Sequence, residues 1–319
     1  LSHNSAEVDF HVSNIMNTDR RRRLVVVRAG DASLHPSWLE GQEPATFDLA
    51  VSYYGDDPDA FSGTTLRHFA KGGKWDGLYA FFMSNPVVLD AYDWVWLPDD
   101  DIATTTASIN RLFDLVAEHA LEIAQPSLTW DSYVGPFITL HNPRFQIRWT
   151  NFVEIMVPIL SSAALRRIVP AFAGRHFGWG LDSVWSRWMP EPMFRAAIID
   201  AVSVRHTRPV GKGNLSGGQA AAQKAERDEL LARYGLKKKP RAVVYAGRDE
   251  RGRLLRGGLR LGAALYMGWM PLRRLSYPKG QFPIRTRKLI KHVRRMAMTL
   301  PDLAPLPLPS ELPTLKLDK

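Results

Sequence analysis

Between Leu24 and His206 the chain alternates short apolar, β-branched or aromatic runs with stretches of helical periodicity. Strands separated by helices can cross over within one sheet and bury both its faces, so this alternation predicts an α/β fold with helices on both sides of the sheet. Leu24–Arg28 (LVVVR), Phe47–Tyr54 (FDLAVSYY), Tyr92–Leu97 (YDWVWL) and Ala197–Arg205 (AIIDAVSVR) read as strands, and Ile123–Leu128 as a short extended segment. Helices are predicted from Trp75 to Met83, from Thr104 to Ala120 and from Ser162 to Val169. The second carries Ile109, Leu112, Phe113 and Val116 at i, i+3, i+4, i+7 spacing. Asn151–Leu160 is apolar with Glu154 inside it.

The pattern changes after His206. Gly211–Gly218 is glycine-rich and reads as a linker, followed by a charged helix over Gln219–Tyr234 without a strong apolar face. Val243–Tyr245 and Leu254–Leu255 can pair across a turn at Arg248–Gly252. Residues 285–298 form a basic amphipathic helix with Leu289, Ile290, Val293 and Met296. Five prolines between Pro301 and Pro313 predict an extended tail. The expected organisation is a polar lead-in (1–23), an α/β domain (24–210), a linker and helix (211–235) and a basic C-terminal region (236–319).

Charge follows the same division. Residues 236–319 carry 20 basic and 5 acidic side chains, a net of +15, which leaves −5 on residues 1–235 of a chain whose net charge is +10. Such a basic appendage suits an anionic partner or is simply a solvated face. Trp269 within Met267–Met270, followed by Arg273, Arg274 and Lys279, suits the interface of an anionic membrane. No nucleic-acid recognition motif is present and the aromatics lie mainly outside the basic quarter, so nucleic acid is not an expected partner. The chain has no cysteine, which removes disulfides, thiolate metal sites and cysteine nucleophiles and fits a reducing, cytoplasmic setting. No run approaches the ~18 apolar residues of a membrane span. No basic-then-apolar leader opens the sequence, and a start at Leu1 rather than Met leaves the native N-terminus expected upstream.

Three consecutive carboxylates, Asp99, Asp100 and Asp101, follow the YDWVWL strand and Pro98. Like charges held together need a reason, and a hard divalent cation that keeps open positions for phosphate oxygens is the commonest one. The alternative is an acidic turn that caps the helix near Thr104. His206 ends a strand as Asp99 does, and a neutral imidazole is a metal ligand. Gly178-Trp179-Gly180 brings backbone close to a neighbour beside an aromatic platform. Asp182 follows, as a general base or as a helix N-cap.

At these residues the sequence resembles the plant and bacterial family filed as domain of unknown function 707. The resemblance rests on ordered blocks over roughly residues 70–210: Lys74-Trp75, YDWVWLPDDDI (92–102), LEIAQPSL (121–128), FVEIMVP (152–158), Trp179-Gly180-Leu181-Asp182 and DAVSVRH (200–206). Their order also looks like the metal-dependent nucleotide-sugar glycosyltransferases of the GT-A class. That likeness implies a mixed, mostly parallel sheet flanked by helices, a nucleotide-sugar donor, and a saccharide or lipid-linked acceptor. It implies Asp99, Asp101 and His206 around Mn²⁺ or Mg²⁺, with Asp99 also towards the ribose or sugar. It implies Asp100, Lys74 and Asp31 on the donor, Trp179, Gly180 and Glu154 on the acceptor side, and Asp182 as the base of an inverting reaction. Gln125 and Glu154 either line the pocket or bond locally.

Two other classes compete. A metal-dependent hydrolase or phosphotransferase on the same acidic cluster would need more ligands near Asp99 than the sequence offers. A non-catalytic carbohydrate-binding relative would keep the cleft without turnover.

Overall fold

The computed structural model describes residues 22–57, 59–62, 64, 66–209, 219–274 and 286–311. Most of the lead-in, the glycine-rich linker, Lys279 and the end of the proline-rich tail lie outside these residues. The strands are β1 (Arg23–Ala29), β2 (Asp48–Tyr53), β3 (Leu66–Phe69), β4 (Trp94–Trp96), β5 (Ile102–Ala103), β6 (Ile123–Leu128), β7 (Phe145–Thr150), β8 (Ile159–Ser161), β9 (Ala196–His206), β10 (Val244–Asp249) and β11 (Leu254–Arg256). The helices are α1 (Lys74–Ser84), α2 (Val88–Ala91), α3 (Thr106–Glu118), α4 (Ser162–Ile168), α5 (Leu181–Val184), α6 (Gln219–Arg233), α7 (Gly258–Trp269) and α8 (Thr286–Ala297).

One sheet runs in the order β11-β10-β7-β9-β6-β8-β4-β1-β2-β3, with β5 paired to the end of β9. β1, β2, β3, β4, β6, β9 and β10 point one way; β5, β7, β8 and β11 point the other. The sheet is therefore mixed with mostly parallel strands. Successive residues of a strand face opposite sides, and β1 divides accordingly. Val25 and Val27 enter one core with α3, α7 and α8, whereas Leu24 and Val26 enter the other with α1, α4, α5 and α6.

The boundaries expected at 211 and 236 do not divide the core. β10 hydrogen-bonds antiparallel to β7, so the chain beyond 236 completes the sheet begun at Arg23. Trp269 is fully buried, 4.9 Å from Phe137 by ring centroids. It is unavailable to a bilayer, contrary to the expectation for that segment. Its indole Nε1 donates to the Leu140 and His141 carbonyls, while Asn142 Nδ2 donates to the Leu265 carbonyl. The loop that receives α7 is fixed from inside. Arg148, fully buried on β7, donates from Nη1 and Nη2 to the Ile138 and Leu140 carbonyls and grips Asp200 of β9 bidentately at 2.6 and 2.9 Å. The C-terminal region is thus an integral part of the fold rather than an appendage. None of the helices among the described residues is long and apolar enough to cross a membrane.

Candidate active site

β4 delivers the acidic run. Beyond Trp96 the chain is held by Leu97 and Asp99 amides on the Pro158 and Met156 carbonyls, and then turns into β5. β5 pairs antiparallel with the end of β9 and sets Ile102 opposite His206. That register is what brings a carboxylate from residue 101 to an imidazole more than a hundred residues later. Asp101 Oδ2 lies 3.1 Å from His206 Nε2. His206 Nδ1 lies 2.8 Å from the Tyr133 carbonyl, a contact in which Nδ1 donates and Nε2 is left to face Asp101.

The three aspartates have different partners. Asp99 Oδ1 accepts from Lys74 Nζ at 2.6 Å. Asp100 is tied into the scaffold: its Oδ2 accepts from the Gly30 amide at 2.9 Å and the Tyr54 hydroxyl at 3.2 Å, and its Oδ1 from Arg208 Nη1 at 3.1 Å. Asp101 Oδ1 is buried and has no hydrogen-bond partner among the described residues. The acidic run does not cap α3. That position belongs to Thr105, whose side chain accepts from the Ser108 amide.

Donor atoms of Asp99, Asp101 and His206 lie within 4.8 Å of one another, the only such group among the described residues. Two carboxylates and an imidazole form a donor set suited to Mn²⁺ or Mg²⁺, and the partnerless Asp101 oxygen is what such an ion would satisfy. The residues present therefore fit a divalent cation. Burial alone would lower the His206 pKa, but the hydrogen bond and charge of Asp101 outweigh it, and the net direction is upward. Removal from water pushes the Asp99 carboxyl up; Lys74 opposes this and Asp101 adds to it.

A cavity of about 750 Å³ opens over this cluster. Asp99, Asp100, Asp101, His206, Lys74, Glu154, Trp179, Gly180 and Asp182 all line it. Asp31 does not: the chain leaves β1 at Gly30 towards solvent, and the Asp31 carboxylate accepts from the Tyr53 hydroxyl. Gln125 also stays out of the lining. Its Oε1 accepts from the Glu154 amide at 2.6 Å and so fixes the Glu154 backbone from within the core. Lys74 sits at the first residue of α1 and donates to the Ile155 and Met156 carbonyls as well as to Asp99, which braces the loop that carries Glu154.

The Gly-Trp-Gly segment depends on both of its glycines. A Cβ at Gly178, where φ is +71°, would stand 2.1 Å from the Trp75 indole nitrogen, and Gly180 is left-handed at +101°. The Glu226 carboxylate of α6 accepts from the His176 and Phe177 amides at 2.9 and 3.0 Å and anchors the start of the loop. α6 is therefore a wall of the cavity, held by buried Leu230 and Leu231 despite its charged sequence. Asp182 is not the cap of α5, which begins from Gly180. Its Oδ1 accepts from Ser183 Oγ at 2.8 Å and its Oδ2 lies 3.2 Å from Lys239 Nζ.

Sequence reasoning missed six cationic or polar wall residues, Arg28, Tyr54, His176, Arg208, Arg227 and Lys239. Arg208 follows His206 by two residues, and its spacing was a usable signal. Lys239 was hidden in a run of three lysines read as part of the basic appendage.

Burial, and then the Asp182 charge, push the Glu154 carboxyl up to about 8. Its Oε2 is buried without a partner among the described residues. A carboxyl whose folded pKa is raised contributes stability below its unfolded value near 4.5 and loses it as pH climbs through about 8. In a chelator, wild-type stability should fall between those limits, and Glu154→Gln should flatten that fall, melting above wild type at pH 8. Parallel pH profiles of the two proteins by thermal denaturation would contradict the assignment.

No protein-family model matches the chain, and no curated protein matches it. Among solved structures it is similar to residues 1–349 of TarS from S. aureus in complex with UDP-GlcNAc, at 11% identity and TM-score 0.45, over 66% of this chain and 66% of that one. The match thus spans just under two thirds of the TarS fragment. A second is glucosyl-3-phosphoglycerate synthase from Mycobacterium tuberculosis in complex with Mn²⁺, UDP-glucose and phosphoglyceric acid. It matches at 12% identity and TM-score 0.41, over 69% and 82% of the two chains. A third is a mycobacterial protein at 12% identity and TM-score 0.43, over 74% and 83%. At these values the likeness carries no functional argument, which has to come from the cavity itself.

Proposed function

We propose that this chain is a metal-dependent glycosyltransferase of the kind its sequence likeness to the GT-A class implies. It would transfer a sugar from a nucleotide-sugar donor to a hydroxyl of a saccharide or lipid-linked acceptor. One observation supports this above all: a cluster of two carboxylates and an imidazole shares a single cavity with a separate carboxylate, Asp182, paired to Lys239.

In such a transfer the bond from the anomeric carbon to the donor phosphate oxygen breaks, and its electron pair leaves with the nucleoside diphosphate. The acceptor oxygen bonds to the anomeric carbon and releases its proton. A divalent cation on Asp99, Asp101 and His206 would supply positive charge to the departing phosphates. Lys74, Arg28 and Arg208 add fixed cations to the same cavity wall. Asp100 holds the acidic loop against β1 through Gly30 and so acts on the donor by positioning its neighbours. Asp182, paired to Lys239, takes the acceptor proton; from the side opposite the leaving group, this inverts the anomeric configuration. Trp179 offers the acceptor sugar an aromatic face, and Glu154, protonated near neutral pH, offers it a hydrogen-bond donor. Asp31 lies outside the cavity lining and has no part in this reading.

The deciding experiment is thermal stability against a panel of nucleoside diphosphates and nucleotide sugars, with and without Mn²⁺. A ligand at a hundred times its Kd stabilises the native state by about 2.7 kcal/mol. A rise in Tm that needs both one nucleotide and the metal is the expected result. No rise with any donor in either condition would overturn the reading and favour a non-catalytic relative.

A further inference from the structure

Two hollows share a wall at the C-terminal end of the molecule. One, about 430 Å³, is lined by Arg241, Arg287, Lys291, Arg294 and Arg295, and among the described residues no carboxylate lines it. The other, about 470 Å³, is apolar over Met193, Phe194, Tyr245, Ala297 and Leu300. Met298 and Thr299 line both.

The helical register explains the arrangement. Leu289, Val293, Met296 and Ala297 of α8 are buried in the core. Arg287, Ile290, Lys291, Arg294, Arg295 and Met298 then follow one exposed stripe on the opposite side. The stripe mixes cations with apolar side chains. Here Ile290 is 50% exposed, Met298 44% and Leu300 91%. The crowding of cations is also felt by His292, whose pKa is lowered first by burial and then by Lys288, Arg295 and Lys291. Contiguous exposed apolar surface beside concentrated charge marks an interaction site rather than a solvated face.

We propose that the two hollows form one site for an anionic membrane lipid, with the phosphate of the headgroup among the five cations and the adjoining acyl chain in the apolar groove. A soluble polyanion would match the cations and leave the groove in water, whereas a lipid occupies both halves. Arg241 follows Lys239 by two residues, so their backbones lie at most about 7 Å apart. Lys239 lines the catalytic cavity and pairs with Asp182. A membrane engaged at the hollows therefore lies beside the end of the cavity where the acceptor would enter, which favours a lipid-linked acceptor. That last step rests on the proposed transferase function; the lipid site does not.

The test is co-sedimentation of the full chain with phosphatidylcholine vesicles with and without phosphatidylglycerol. Binding is expected only with phosphatidylglycerol. Each cation near an anionic surface is worth about a fivefold change in partition, so Arg287→Gln/Lys291→Gln/Arg294→Gln should weaken it roughly a hundredfold. Leu300→Asp, at an exposed position that folding does not need, should weaken it about tenfold. The proposal is overturned by equal binding to both vesicles, by a triple variant that binds like wild type, or by undiminished binding of Leu300→Asp. It is also overturned if inorganic pyrophosphate at equal phosphate concentration releases the protein completely. The nucleotide-dependent Tm rise should be intact in every variant, so failure of the lipid site and failure of the donor site are separate results.

Discussion

Asp101→Asn is expected to lower transfer about a thousandfold or more, close to 4 kcal/mol of transition-state stabilisation. Asp101 is 6% exposed, one of its carboxylate oxygens has no hydrogen-bond partner among the described residues, and the other faces His206 at 3.1 Å. The amide keeps the shape but removes the negative charge and places an NH₂ or a weaker oxygen where a cation ligand is needed. It also removes the anionic partner of His206, while the Tyr133 carbonyl still holds the ring at Nδ1. Loss should therefore be confined to the cluster. Initial rates at saturating Mn²⁺, together with the nucleotide-dependent Tm rise, check this. Wild-type donor binding and turnover in the variant would remove Asp101 from the metal site.

Asp182→Asn should separate binding from chemistry. General base catalysis typically contributes about 10²–10⁴-fold, so kcat should fall within that range while the metal- and nucleotide-dependent Tm rise is kept. The folded state has little stake in this carboxylate, whose partners are the neighbouring Ser183 hydroxyl and the half-exposed Lys239. A variant that loses the Tm rise would make Asp182 a donor ligand. One that keeps kcat would leave acceptor deprotonation to another group.

Much of the α/β body was readable because strand and helix periods alternate without ambiguity. LVVVR, buried on both faces, became β1, and AIIDAVSVR, buried over its first half and alternating over its second, became β9. β3 was missed because LRHF, at the sheet edge, carries two polar residues in four. β7 was missed although FQIRWT alternates, because its Arg148 looks like a surface residue and is in fact fully buried against Asp200. The C-terminal region misled for a related reason. Charge counts describe the exposed half of α8 and are silent on its buried half, which joins the same core as β1. In the candidate site, the acidic run and His206 stood out because each ends an apolar strand. The bond between them could not be read locally, since it depends on β5 pairing with β9 across the fold. Asp31 was placed by its position after β1 alone, which does not specify the direction in which the chain leaves the strand.

The position of β10 bears on how the molecule is made. β7 lies between β9 and β10 and has an unpaired flank until residues 244–249 arrive. During synthesis the residues up to about 210 emerge with most of the cavity residues but with an open strand edge and an empty berth at Leu140–Asn142 for α7. An unsatisfied edge is a template for the wrong partner. A nascent chain halted near residue 210 would therefore hold nearly every residue of the candidate site and still be the form most prone to pair with its own kind, until residues 244–249 close the sheet.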